Sequence, residues 1–162
     1  MRNLLFIFFL FLSIVVGCKR LPDIQGEGYP QVQGVWIQDA IDTDLKNYTL
    51  HKFKFSCDSF YLELLVKNQI NHFNDTCATN GDRKEYAKGI YALKGDSLFL
   101  KGTYTKENYK QKISGCYNIG SYRHNFLLLK SEEGKMSMRD LSNNLEANFT
   151  QTEKSTCTPK PL

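Results

Sequence analysis

Between Lys52 and Val66 the apolar residues fall at every second position. Phe53, Phe55 and Cys57 alternate with Lys52, Lys54 and Ser56, and Phe60, Leu62, Leu64 and Val66 share one phase. A repeat of two puts successive side chains on opposite faces of an extended strand. These segments therefore read as half-buried antiparallel strands, with Cys57-Asp58-Ser59 as the turn between them. A hairpin joins Lys88–Leu93 to Leu98–Thr105 through Lys94-Gly95-Asp96-Ser97, where Gly95-Asp96 tolerates the positive φ of a tight turn. Lys112–Ile119, Asn125–Lys130 and Lys135–Leu141 follow as strands. Turns are expected at Ser121 to His124 and at Glu132-Glu133-Gly134. Leu145, Ala147 and Phe149 mark a last strand. Residues 66–85, rich in Asn, read as a long loop. No long amphipathic helix is evident. Roughly eight or nine short strands in meander order argue an all-β fold, an antiparallel up-and-down barrel of about 8 strands. Closure is preferred to an open sandwich because it leaves no unpaired edge. The inward face would carry Phe53, Phe55, Leu62, Leu64, Leu98 and Leu100.

The N-terminal segment is of another kind. Met-Arg-Asn precedes an apolar run from Leu4 to Val16, and Val15-Val16-Gly17-Cys18 follows. A basic start, a short apolar core and a small residue before a cleavage point are the marks of a secretory signal peptide. The run is 13 residues, short of the roughly 20 that span a bilayer. The cysteine after Gly17 resembles the lipobox of bacterial lipoproteins. That resemblance implies cleavage before Cys18 and a lipid on its sulfur, with acyl chains of the palmitate kind anchoring the domain. The expected organisation is a signal peptide over 1–17, a Pro- and Gly-containing tether over 18–33, and a barrel domain over 34–162. The location implied is the bacterial cell envelope, on the outer membrane facing the periplasm.

Cysteine usage agrees with export. Setting Cys18 aside leaves Cys57, Cys77, Cys116 and Cys157, an even number that reads as two disulfides in an oxidising compartment. Four cysteines allow three pairings. Cys57–Cys77 with Cys116–Cys157 is the favoured one, the second tying down the C-terminal tail. No C-x-x-C pair exists and no His is spaced to join a cysteine on a metal, so no metal site and no cofactor are expected. The formal charge of +4 is mild and interrupted by acidic residues, which argues a solvated surface and not a nucleic-acid footprint.

Gln33-Gly34-Val35-Trp36-Ile37, at the first strand, resembles the G-x-W opening of lipocalin-like barrels. The resemblance implies that Trp36 plugs the closed end and that a basic residue of the last strands, Arg139 by position, packs over the indole. The mature chain also resembles a group of small Bacteroidota lipoproteins through Gln33-Gly34-Val35-Trp36, Phe55-Ser56-Cys57-Asp58-Ser59-Phe60, Lys84-Glu85-Tyr86-Ala87-Lys88-Gly89, Gly102-Thr103-Tyr104-Thr105, and the stretch from Tyr109 to Tyr117. Members of that group often carry the label fumarate hydratase. The motifs of that chemistry are missing: no G-S-S-x-M-P-x-K-x-N loop is present, and an exported disulfide protein would not assemble an iron–sulfur cluster. The resemblance implies a lipoprotein barrel and not a lyase.

No nucleophile elbow, P-loop or dinucleotide loop occurs, so no catalytic residue is assigned. His51 and His124, beside expected strands, and His72, in the Asn-rich loop, read as surface residues. Tyr104, Tyr109, Tyr117 and Tyr122 lie close together in sequence. They could line a barrel mouth with Lys110 and Lys112, since Tyr offers large contact area with a polar tip. The function expected is a membrane-tethered binding module for a small apolar ligand or an envelope protein partner. The alternative is a periplasmic inhibitor, because Ser114-Gly115-Cys116-Tyr117 resembles a loop of small lipoproteins that inhibit lysozyme.

Overall fold

The structure is a computed structural model that describes residues 25–40, 47–68 and 82–160. The apolar N-terminal run, Cys18, His72 and Cys77 lie outside these residues. One 3-10 turn, Pro30–Val32, precedes eight strands: β1 Gly34–Gln38, β2 Asn47–Ser56, β3 Ser59–Asn68, β4 Arg83–Lys94, β5 Ser97–Thr105, β6 Ser121–Glu132, β7 Lys135–Asp140 and β8 Glu146–Glu153. Each pairs antiparallel with the next, and β1 pairs with β8, so the sheet closes into an up-and-down barrel. The all-β barrel read from the period-two pattern is the fold observed.

The inward phase fills the lumen. Trp36, Phe53, Phe55, Phe60, Leu62, Leu98, Leu100, Met136, Met138 and Phe149 are all buried. Fully burying a side chain of this kind contributes about 1.5–3 kcal/mol. On β2 the rings of His51, Phe53 and Phe55 stack in a column, with centroid separations of 5.7 and 5.4 Å. Phe126 and Tyr91 meet that column edge-on from other strands, at 5.7 and 4.8 Å. Such tilted pairs add about 0.5–1.5 kcal/mol each beyond burial. The lumen is thus a packed core through most of its height.

One end of the barrel is sealed. Residues 25–33, expected to be a free tether, are part of the domain. The Gln25 side chain donates to Ser59 Oγ at 2.7 Å, Gly26 N donates to Asp58 Oδ2, and Tyr29 N donates to the Tyr91 hydroxyl. Gln33 bonds both ways with Cys57: its Nε2 donates to Cys57 O at 2.7 Å and its Oε1 accepts from Cys57 N at 2.9 Å. Gly28 makes this approach feasible, because its φ is +71° and a Cβ there would lie 1.7 Å from Cys57 O. Trp36 sits just inside, buried, with Nε1 donating to Val32 O at 2.9 Å.

Several local expectations change. Residues 112–119 do not form a strand. The chain from 106 to 120 is an irregular loop, in which Tyr109 and Tyr117 adopt left-handed φ and Gly115 and Gly120 also turn positive, so no extended run survives. Ser121 to His124, expected as a turn, begins β6. β3 and β4 extend further into 66–85 than foreseen.

The favoured disulfide pairing is also wrong. Cys57 bonds Cys157. Cys57 lies in the β2–β3 turn at the sealed end, and the tail after β8 leaves from that same end. Cys116, on the loop at the opposite end, cannot reach Cys157 and is itself disulfide-bonded.

Digestion of the unreduced chain should yield one peptide pair containing Cys57 and Cys157; a pair joining Cys116 to Cys157 would refute the arrangement. The bond spans 100 residues of sequence. Replacing both cysteines by Ala should lower unfolding stability by about 3–5 kcal/mol, read by denaturant melts.

Candidate functional site

Among the described strand residues, the buried polar side chains Gln38, Glu85, Thr105 and Asp140 lie towards the other end. β1 stops at Gln38, while its neighbour β2 extends back to Asn47. Beside the end of β1 lies a cavity of about 400 Å³. Its apolar lining includes Val66, Phe126, Met138, Ala147 and Phe149, and its polar lining includes Gln38, Thr49, His51, Asp140 and Glu146.

Two hydrogen-bonded pairs organise this mouth. Gln38 Oε1 stands 3.1 Å from His51 N and 2.7 Å from His51 Nδ1. The glutamine thereby supplies β2 with an acceptor where the β1 backbone has ended. On the facing wall, His124 Nε2 lies 2.7 Å from Asp140 Oδ2. Asp140 Oδ1 accepts from both the amide and the hydroxyl of Ser142, each at 2.7 Å. Burial opposes ionisation of Asp140, but the bonds from His124 and Ser142 outweigh it and hold the carboxyl below its usual range. His51 behaves oppositely. Burial against Phe53 and Phe126, then the neighbouring His124, lower its pKa to about 4, although Asp140 pulls the other way. The ring is neutral at ordinary pH.

The 106–120 loop covers a different part of this end. Asn118 Nδ2 donates to Glu85 Oε2 at 2.8 Å, and Arg83 Nε bonds Glu85 Oε1 at 3.1 Å. The Arg83 guanidinium lies 4.5 Å from the centroid of the Tyr117 ring. Glu85 is buried, and these two partners make that tolerable.

The four tyrosines expected at a rim separate. Tyr104 and Tyr122 are inside the barrel with ring centroids 5.4 Å apart, and burial raises the pKa of both. Tyr117 lies on the covering loop. Tyr109 packs outside the barrel, 5.0 Å from Tyr61 and 6.0 Å from Tyr86. On that loop Lys110 is exposed and Lys112 half-buried. Arg139 does not reach Trp36. It alternates with the inward Met138 and Asp140, faces outward, and its Nε bonds Glu146 Oε1 at 3.1 Å. Phase excludes the stacking expected of it.

His51, His124, Gln38 and Asp140 were missed as site residues, yet a signal for them exists. His51 shares the phase of Phe53 and Phe55, His124 that of Tyr122 and Phe126, Asp140 that of Met136 and Met138, and Gln38 that of Trp36. Among the described residues no group of three His, Cys, Asp or Glu is placed to hold a metal ion.

Comparison with known protein families, curated proteins and solved structures returned no match for this chain.

The His51 ring should titrate near pH 4 by NMR; a midpoint near 6.5 would contradict its burial. Its folded pKa lies below the unfolded value of 6.5. The unfolded chain therefore binds the proton first, and stability falls as pH drops from about 6.5 to 4, by about 1–3 kcal/mol. Urea melts at pH 7, 5 and 4 should show this loss in the natural chain and a flatter profile in His51→Phe.

Proposed function

We propose that the protein is a binding module of a bacterial cell envelope, held to a membrane through lipid on Cys18, which takes a small, largely apolar ligand at the open end of its barrel. The observation that carries the binding reading is the cavity beside the end of β1. Its volume of about 400 Å³ lies within the ordinary range for small-molecule sites, roughly 300–1,000 Å³. An apolar floor with a few polar groups is the usual composition of such sites. Phe126, Met138 and Phe149 form the floor here, and His51, neutral and half-buried, stands at its edge. The ligand seats at the mouth because the aromatic column on β2 occupies the lumen beneath it. The membrane tether rests on the signal-like N-terminus and on Cys18 directly after Gly17. A Cys57–Cys157 bond suits the oxidising compartment that export implies.

Native mass spectrometry of the full chain should reveal a bound small molecule. Thr49→Trp, which fills the cavity from the rim, should lower occupancy at least about tenfold with the circular dichroism spectrum unchanged. Equal occupancy in that variant would remove the mouth as the site. Cells fed an alkyne fatty acid should label the natural chain and not Cys18→Ser, and that variant should move to the soluble fraction.

A further inference from the structure

We infer that the ligand of the mouth cavity carries a neutral hydroxyl on its apolar body and donates that proton to His51 Nε2. The inference rests on the binding reading above and adds the chemistry of the head group.

The orientation of two ambiguous side chains follows from one unambiguous donor. The backbone amide of His51 can only donate, and it points at the Gln38 side-chain amide from 3.1 Å. The Gln38 atom there must be oxygen. That same oxygen lies 2.7 Å from His51 Nδ1, and two acceptors would repel at that distance, so Nδ1 carries the ring proton. In a neutral imidazole the other nitrogen is then a lone pair. His51 Nε2 has no hydrogen-bond partner among the described residues, and the residue lines the cavity. The ring cannot turn over to satisfy it without losing the bond to Gln38. Phe53, stacked at 5.7 Å, and Phe126, edge-on at 6.0 Å, hold it in plane.

An acceptor without a protein partner, on a residue that lines the cavity, favours a ligand with a donor. The other groups of the cavity decide which kind. Among the described residues that line it, the charged ones are both carboxylates, Asp140 and Glu146. An anionic head would meet them with no cation among the described lining residues to balance it. A cationic head gains little, since Asp140 is bonded by His124 and Ser142, and Glu146 by Arg139. A neutral hydroxyl satisfies His51 Nε2 without adding charge. Burial, which lowers the pKa of His51 to about 4, keeps the acceptor form present at neutral pH.

Four probes on one eight-carbon tail test this with the full chain: 1-octanol, its methyl ether, octanoate and octylammonium, titrated by calorimetry at pH 7. The alcohol should bind about tenfold more tightly than the ether, the difference expected of one hydrogen bond. Octanoate should bind most weakly. In His51→Phe the alcohol and ether should converge to within about twofold while both still bind. His51→Gln, which restores an acceptor oxygen, should recover part of the difference. Equal affinity of alcohol and ether in the natural chain, with both lost in Thr49→Trp, would overturn the head-group inference and leave the cavity standing. Tightest binding by octanoate or octylammonium would overturn it as well. Failure of all four probes to bind would overturn the inference together with the cavity reading.

Discussion

Closure of the sheet through β1 is the constraint on which the rest depends. This strand has five residues and must bond on both sides, to β2 through Gly34–Ile37 and to β8 through Val35–Gln38. Its entry is crowded. Gly34 has φ +126°, and a Cβ there would lie 2.3 Å from Glu153 O and 2.6 Å from Gln151 Nε2. That Gln151 nitrogen is the donor to Gln33 O, so the space is taken by the bond that pins the chain as it enters. Only glycine fits. Two residues on, Trp36 turns inward under the 3-10 turn. The G-x-W stretch is therefore the seam of the barrel: Gly34 is fixed by the crowding at its entry and Trp36 by its burial and its bond to Val32 O.

The same short strand accounts for the cavity. A longer β1 would continue alongside β2 and supply main-chain acceptors to its upper half. Because it ends at Gln38, a side chain performs that task for His51, and room remains between β2 and the β7–β8 end. A gain in one place, a full aromatic core below, is matched by incomplete pairing above. Binding sites on barrels commonly lie where the wall is least regular, since there polar groups can point inward without breaking the ladder.

The period of two made the barrel legible before any coordinates, because a strand buried on one face writes its phase directly into the order of residues. Phe53, Phe55, Leu62, Leu64, Leu98 and Leu100 were placed inward on that ground. The same rule places His51, His124 and Asp140 inward, but polar residues in the apolar phase were read by type and not by phase, and the site was lost. Pairing of the cysteines was not legible, because it depends on which ends of the barrel their loops occupy. The docking of residues 25–33 was not legible either. It rests on hydrogen bonds of Gln25, Gln33 and two backbone amides, and such contacts leave no periodic trace. At 112–119 the alternation was present, but left-handed residues at Tyr117 and Gly115 overrode it.

The two ends of the described chain meet: Gln25 N donates to Lys160 O at 2.9 Å. Both lie at the sealed end, and the cavity lies at the other. The chain before Gln25 therefore joins the domain at the end opposite the mouth. A reporter attached beyond Lys160 would start from that same end and leave the entrance clear.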